Sequence, residues 1–369
     1  MKKILFLIHD LGHGGAEKVL VNLVNNMDPS KFDISVTALF GGGVNEQYLK
    51  PHIHYRTVFK RSFPGNSHLM KLFSPKTLYR WFVKGHYDVV IAYLEGPSTR
   101  IISGCTDPDT EVLAWVHCAM KTDSDLACGF RSFSEAKGCY SKMDTLVFVS
   151  QTVRDAFLSV FPFTGRTEVL NNTNDTEKIL ALAREDAVLP DNTFCWCGVG
   201  KLAPVKGFDR MIRIQKRLSE EGYRTHLCIF GKGVLEAELV KLAADCGIAD
   251  SVTFFGYQTN PYKYVARCDL FVCSSHSEGF STAATEALIV GTPVCTVEVS
   301  GMKEMLGEHN EYGIVTDNDE DSLYQAIKKM LDDPDLMTHY KQQAVLRGKE
   351  FSTEHTVQAV SELLMEVSS

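Results

Sequence analysis

The sequence predicts an α/β protein of two doubly wound, parallel-sheet halves. Three observations predict it. Continuous apolar runs recur along the chain, and such runs suit parallel strands covered on both faces. Most lead through a short polar or glycine-bearing turn into an amphipathic helix, the order that a right-handed βαβ unit requires. The alternation stops once, after Leu170, and then restarts. A chain of 369 residues is too long for one ordinary core and suits two domains of roughly 170–200 residues.

The first run is residues 3–9, with Ile4, Leu5, Phe6, Leu7 and Ile8 in succession. It looks like the opening of a signal peptide but is too short for one, because Asp10 and Gly12 interrupt it. The turn Gly12-His13-Gly14-Gly15 follows, then a helix with Val19, Leu20, Leu23, Val24 and Met27 on one side. Further strands are expected at 33–40, 87–94, 111–117 and 145–150. The polar stretch Asn171-Asn172-Thr173-Asn174-Asp175 reads as a linker. The expected domains are therefore 1–172 and 173–369, with the final helix free to pack back on the first. In the second half, strands are expected at 193–200, 225–230, 251–255, 269–274 and 293–297. Helices are expected at 207–221, at 234–246, from about Thr282, and from about Ser322 to Met365. The carboxyl ends of parallel strands open onto ligand crevices, so a cleft between the halves is the expected site.

Composition narrows the function. Hydrophobic residues make up 44% and charged residues 23%, the balance of a soluble globular protein. The net charge of −8 argues against wholesale nucleic-acid binding. No stretch approaches the roughly 20 apolar residues of a membrane span, so a cytoplasmic protein is expected. The 11 cysteines are an odd number scattered through strands and helices, which suits small buried hydrophobes in a reducing compartment. Cys195 and Cys197 follow strand alternation and lack zinc-knuckle spacing. No metal site is expected.

The segment richest in chemistry is Ser275-His276-Ser277-Glu278-Gly279-Phe280-Ser281-Thr282-Ala283-Ala284-Thr285-Glu286. It follows an apolar strand and opens a helix. Gly279 is expected to give a tight turn and close ligand approach. The amides of Phe280, Ser281, Thr282 and Ala283 are then unpaired donors at a helix N-terminus, a seat for phosphate. Glu278 precedes that terminus and Glu286 lies a turn inside, so the two carboxylates suit sugar and ribose hydroxyls. Carboxylates beside a diphosphate need cations, and Lys201 and Lys206 leave one upstream loop, Gly200-Lys201-Leu202-Ala203-Pro204-Val205-Lys206-Gly207. Two lysines suit a diphosphate leaving group without a required metal.

On these residues the chain resembles the family 4 glycosyltransferases of the GT-B fold, two Rossmann-like domains facing across a cleft. The E-x7-E element of the family matches Glu278 and Glu286, its phosphate loop matches Gly200 to Gly207, and its G-G-A-E turn matches Gly14 to Glu17. The resemblance covers essentially the whole chain and implies transfer of a sugar, with retention, from a nucleoside diphosphate sugar to a hydroxyl of a glycan or glycolipid. It implies no cofactor beyond that donor. It gives Glu286 the ribose, Glu278 and the amides after it the donor sugar, Lys201 and Lys206 the diphosphate, and Gly14 and Gly15 a close approach to phosphate or acceptor. It places His117, at a strand end in Ala114-Trp115-Val116-His117, near the reacting sugar. His9 and His13, which flank the glycine turn, are candidate acceptor contacts. Two positions depart from the family. Lysine stands at 201 where arginine is usual, which keeps the charge and loses the bidentate fork. Ser281, Thr282 and Ala283 replace the usual proline and leucines, which alters the sugar pocket and keeps its backbone donors.

Between residues 47 and 87 stand Lys50, Arg56, Lys60, Arg61, Lys71, Lys76, Arg80 and Lys84, with no Asp or Glu. Phe59, Phe63, Leu69, Met70, Leu72, Phe73, Leu78, Trp81, Phe82 and Val83 are interleaved with them. This mix suits an anionic membrane surface, reached through 50–84, at the inner face of the cell membrane. The competing reading is a solvated basic helix pair whose apolar side packs on the sheet. Two other functions use similar architecture: a nucleotide-sugar epimerase and a non-catalytic partner subunit. A nicotinamide dehydrogenase is disfavoured, because Glu17 stands where the third glycine of G-x-G-x-x-G belongs.

Overall fold

The computed structural model describes residues 1–12 and 14–367. His13, one of the two turn histidines above, lies outside the described residues. The chain divides into two compact units. The first is Met1–Asn174 with the C-terminal segment that starts at Thr353, and the second is Asp175–Ser352.

The first unit holds β1 (Lys2–Ile8), β2 (Phe32–Phe40), β3 (His54–Phe59), β4 (Val89–Ala92), β5 (Glu111–Val116), β6 (Thr145–Phe148) and β7 (Arg166–Val169). They form one parallel sheet in the order β3-β2-β1-β4-β5-β6-β7. Ile4 to Ile8 are fully buried because β1 is central and covered on both faces. The helix Gly15–Asn26 buries Val19, Leu20, Val21, Leu23 and Val24. The last helix, Thr353–Glu366, belongs to this unit. Lys2 Nζ donates to the carbonyls of Leu364 and Met365 at its C-terminal end, each at 2.7 Å. A cation there meets the negative end of the helix dipole and its orphan carbonyls.

The second unit holds β8 (Phe194–Val199), β9 (Thr225–Phe230), β10 (Val252–Gly256), β11 (Leu270–Cys273), β12 (Val294–Val297) and β13 (Ile314–Thr316). Their order, β10-β9-β8-β11-β12-β13, repeats that of the first sheet without its last strand, and all pairs are parallel. On one face Trp196, Leu227, Ile229, Leu270 and Val272 build the core with the helix Phe208–Glu220. Trp196 gives its indole N–H to Gln215 Oε1 at 2.8 Å, so the buried polar atom is satisfied.

Three strands carry no sequence signal: β3, β7 and β13. Each is a sheet edge and only half covered, so none needs a continuous apolar run. The expected long C-terminal helix is three helices, Glu320–Asp332, Pro334–Glu350 and Thr353–Glu366. Pro334 forces the first break, and Asp333 caps the new start by accepting from the Leu336 amide at 2.9 Å.

In both sheets the first and fourth strands are neighbours, β1 with β4 and β8 with β11. Chain connections leave in opposite directions at that point, so the loops beyond it splay apart and make room for a ligand.

Candidate functional site

In the second unit the switch point lies between the loop after β8 and the loop after β11. The two loops are locked together. Ser274 Oγ donates to the Lys206 carbonyl at 3.0 Å, and the His276 amide donates to the Val205 carbonyl at 2.7 Å. Gly207 adopts φ +63, and a Cβ there would sit 2.2 Å from the Ser274 carbonyl oxygen. Only glycine meets both conditions. The first loop is braced again from β9: the Leu202 amide donates to the Lys232 carbonyl at 3.0 Å, and a Cβ on Gly231 would meet the Gly200 carbonyl at 1.8 Å.

This locking delivers Lys206 to Glu278. Lys206 Nζ lies 2.6 Å from Glu278 Oε1, and Ser275 Oγ donates to the same oxygen at 2.6 Å. Glu278 is the more enclosed partner, with 10% of its side chain exposed against 29% for Lys206. Lys201 is exposed, and its side chain forms no hydrogen bond or ion pair among the described residues. The structure therefore brings together Lys206 and Glu278, and leaves Lys201 outside that pair.

Glu278 is followed at once by Gly279, Phe280 and the helix Thr282–Ile289. Ser281 caps this helix by accepting from the Ala284 amide at 3.4 Å. Thr285 hydrogen-bonds the Ser281 carbonyl at 2.9 Å. Phe280 is buried and packs edge-on against Phe351 at 5.8 Å. Gly207 and Gly301 adopt positive φ in these loops, and Gly279 does not. Gly301 is needed because a Cβ there would lie 2.7 Å from the Phe280 ring and 3.0 Å from the Gly279 carbonyl. Thr282 opens the helix. Glu286 is buried inside it and accepts from Tyr262 OH at 3.3 Å. Sequence reasoning missed Tyr262, Ser275 and Gly301. Ser275 stands in the segment quoted above but was given no role there, and nothing marks Tyr262 or Gly301, because each matters only through a residue distant in the chain or by its fit in the loop.

The first unit is organised differently. Gly14 is the N-cap of the helix Gly15–Asn26, with ordinary extended φ and ψ. The nearest atoms to a Cβ at Gly14 would be those of the flexible Glu17 carboxylate. The preceding turn is held by Asp10, which accepts from the Gly12 amide at 2.7 Å and pairs with His9 Nδ1 at 2.7 Å. That hydrogen bond with His9 pulls the Asp10 carboxyl below its ordinary range, and the Gly12 amide adds to the effect against desolvation.

His117 follows β5 and is buried. Its ring tilts against Tyr93 at 4.9 Å. Burial pushes its pKa down to about 3, and a hydrogen bond to the Tyr93 backbone opposes this only in part. The imidazole is therefore neutral at physiological pH. Its Nε2 has no hydrogen-bond partner among the described residues, which is unusual for a buried polar atom. Beside it, Glu95 Oε1 accepts the amides of His117 and Cys118, the latter at 2.7 Å. Burial raises the Glu95 carboxyl above its ordinary range, against the amides of Glu95, Cys118 and His117 that hold the charge.

The acid-free segment of this unit divides its apolar residues. Met70, Leu78, Phe82 and Val83 are buried, as the packing reading expected. Leu69, Leu72 and Trp81 are 46%, 72% and 44% exposed, and Lys60, Arg61, Lys76, Arg80 and Lys84 of the same segment are exposed too. Two guanidinium groups hold up the turn between the helices Asn66–Lys71 and Pro75–Phe82. Buried Arg100 donates to the Met70 carbonyl at 3.0 Å and the Phe73 carbonyl at 2.6 Å. Arg131 donates to the carbonyls of Lys71 and Phe73, and Glu135 lies 2.9 Å from Arg100. Among the described residues no helix is long and apolar enough to cross a membrane.

Two doubly wound parallel sheets of this strand order are the architecture of the GT-B class. Residues 182–347 match the family described as glycosyl transferases group 1, and residues 13–178 match glycosyltransferase family 4. The chain belongs to the family 4, group 1 glycosyltransferases and is an enzyme of that class. It is 29% identical over 368 residues to a Campylobacter jejuni protein, covering 95% of this chain and 96% of the other. That relative is named N-acetylgalactosamine-N,N'-diacetylbacillosaminyl-diphospho-undecaprenol 4-alpha-N-acetylgalactosaminyltransferase. It is 27% identical to the lipopolysaccharide core biosynthesis glycosyltransferase LpsD of Rhizobium meliloti, over 89% of this chain and 88% of that one. Among solved structures, HepE of Anabaena in complex with UDP-glucose superposes with a TM-score of 0.75 at 19% identity, covering 99% of this chain and 100% of that one. This last likeness establishes the fold. Nothing in these comparisons favours the epimerase or the silent subunit.

Proposed function

We propose that this enzyme transfers a sugar, with retention of anomeric configuration, from a nucleoside diphosphate sugar to a hydroxyl of a lipid-linked glycan. The observation that carries the reading is the Lys206–Glu278 pair at 2.6 Å, set immediately before the Ser281-capped helix that bears Glu286. An ammonium held at a helix N-terminus suits a diphosphate that gains charge as it leaves. Glu286 takes the ribose hydroxyls. Glu278, with the amides from Gly279 to Thr282, takes the donor sugar. Lys201 adds a second cation from its exposed position. Gly14 and Gly15 bring backbone close to phosphate or acceptor, and His117 offers Nε2 to a sugar hydroxyl as a neutral group.

The reaction needs no covalent intermediate. The bond from anomeric carbon to phosphate oxygen breaks, and an oxocarbenium-like centre forms. The acceptor oxygen bonds to the same face, and its proton passes to the departing phosphate oxygen. Charge balance at the diphosphate rests on the lysines, so transfer is expected to survive EDTA.

The names of the relatives support the acceptor class. One names a diphospho-undecaprenol glycan and another lipopolysaccharide core. The exposed Leu69, Leu72 and Trp81, in a segment with five exposed cations, suit an anionic bilayer, with the indole and leucines entering the headgroup layer. Such contact places the protein on the inner face of the cell membrane. Sedimentation with anionic vesicles at low salt tests it, and its absence there removes the membrane from the reading.

The transfer itself is tested with a panel of nucleotide sugars and a diphospho-undecaprenol-linked glycan, the product linkage being read by NMR. An α-linked product from an α-linked donor is expected. An inverted linkage, or an epimerised donor formed without acceptor, refutes the proposal.

A further inference from the structure

We propose that Glu95 is a positioning residue for His117, its carboxylate setting the end of β5 through the amides of His117 and Cys118. The proposal rests on the reading that His117 meets the reacting sugar.

The geometry begins with the turn after β4. Gly96 adopts φ +77 and ψ −116, a combination open to glycine. A Cβ there would lie 3.0 Å from the Cys128 carbonyl. From the other side, a Cβ on Gly129 would lie 2.7 Å from Gly96 Cα and 2.7 Å from Pro97 Cδ. Pro97 then starts the helix Pro97–Ile102. Residues 95–97 are thus wedged in place, and the Glu95 side chain projects from a fixed base.

From that base a single oxygen, Oε1, accepts two successive amides, those of His117 and Cys118. The strand has ended at Val116, so these amides are past the regular ladder and need another acceptor. Successive amides that converge on one anionic oxygen fix the backbone between them. Meanwhile Tyr93 holds the imidazole, by its ring at 4.9 Å and by its backbone. Residues 93 and 95 of one strand end therefore hold both the ring and the backbone of a histidine on the next. The atom left over is Nε2, which has no partner among the described residues. Glu95 touches no reacting atom in this scheme; its effect passes through His117.

A strand-end cap with no catalytic bearing has the same contacts, so the test is kinetic. Glu95→Gln, Glu95→Asp and Glu95→Ala are made in the full chain, each with His117 present and with His117→Ala. The glutamine oxygen reaches both amides without charge, and the aspartate keeps the charge but is one methylene short. The proposal expects Glu95→Gln to stay within about 3-fold of the parent kcat. It expects Glu95→Asp and Glu95→Ala to lower kcat about 10-fold with the donor KM unchanged. With His117→Ala already in place, the same changes should move kcat by less than about 2-fold, because the two residues act as one unit. Equal losses in both backgrounds overturn the proposal and leave the role of His117 standing. So does a lower melting temperature with kcat intact. A parent-like kcat for His117→Ala removes the reading of His117, and this proposal with it. Should Glu95→Ala fail to fold, the contrast of Gln with Asp decides alone.

Discussion

Beyond the fourth strand of each sheet the chain places the same two residues, Glu95-Gly96 after β4 and Glu278-Gly279 after β11. Their surroundings differ. Glu95 accepts backbone amides, so its carboxylate fixes the path of the chain. Glu278 accepts from side chains: Lys206 Nζ, Ser275 Oγ and, more distantly, Cys273 Sγ. A flexible ammonium can change partners when a stronger anion arrives, and a backbone amide in a wedged turn cannot. One topology thus produces a rigid edge held by backbone amides in the first unit and an exchangeable, ion-paired one in the second.

The sharpest way to break that contrast is to remove the exchangeable cation. Lys206→Ala is expected to lower kcat/KM about 100-fold, a loss of about 2.7 kcal/mol of transition-state stabilisation. Lys201→Ala, whose side chain stands outside the pair, should cost no more than about 10-fold. Steady-state kinetics with a saturating acceptor measures both. Equal effects would mean that the ion pair confers no special role on Lys206.

The first unit's edge is tested by acid, through His117. His117 has a folded pKa of about 3 against an ordinary 6.5. Between those values the unfolded chain binds the proton and the folded chain does not, so this residue withdraws stability as pH falls. From pH 6.5 to 5 the withdrawal is about 2 kcal/mol. Glu95 acts with the opposite sign: its carboxyl pKa is raised in the fold, so the folded chain takes up that proton first and gains stability as pH falls past the raised value. Replacing His117 by glutamine removes the first effect and keeps the second. Urea unfolding should then show His117→Gln losing about 2 kcal/mol less than the parent over that interval. Parallel pH curves would show that His117 is not buried neutral.

What the sequence disclosed follows from which forces are local. The central strands were legible because burial on both faces demands unbroken apolar runs, as in residues 4–8. Edge strands such as β3 and β13 were not, because one open side lets polar residues in. In the candidate site, Glu278 and Lys206 were legible as charged residues in glycine-bearing loops at strand ends, and Glu286 as a carboxylate in the helix that follows. The bond that joins Lys206 to Glu278 spans 72 positions, and no spacing rule reports it. Glu95 was overlooked although its Glu-Gly stands at the same point of the first sheet as Glu278-Gly279. The signal was present, and the topological repeat needed to read it became visible only with the strand order. The positive φ at Gly207 and Gly301 was not legible, because the need for glycine there is set by close neighbours, Ser274 and Phe280, that the local sequence does not name.

The smallest effect expected separates a residue that binds from one that orients it. Glu286 is buried and receives the Tyr262 hydroxyl at 3.3 Å. Removing the carboxylate should raise the donor KM about 10-fold with little change in kcat, since a ribose contact is made equally in ground and transition states. Removing only the hydroxyl, by Tyr262→Phe, keeps the ring that packs in the core and deletes one bond to Glu286. At 3.3 Å that bond is long for O–H···O, so its loss should raise the donor KM only about 2- to 3-fold. In a Glu286→Ala background the same change should do nothing, because the carboxylate it orients is gone. A Tyr262→Phe effect that persists there would mean that the hydroxyl meets the donor directly. The second unit would then hold its ribose through two side chains from different helices.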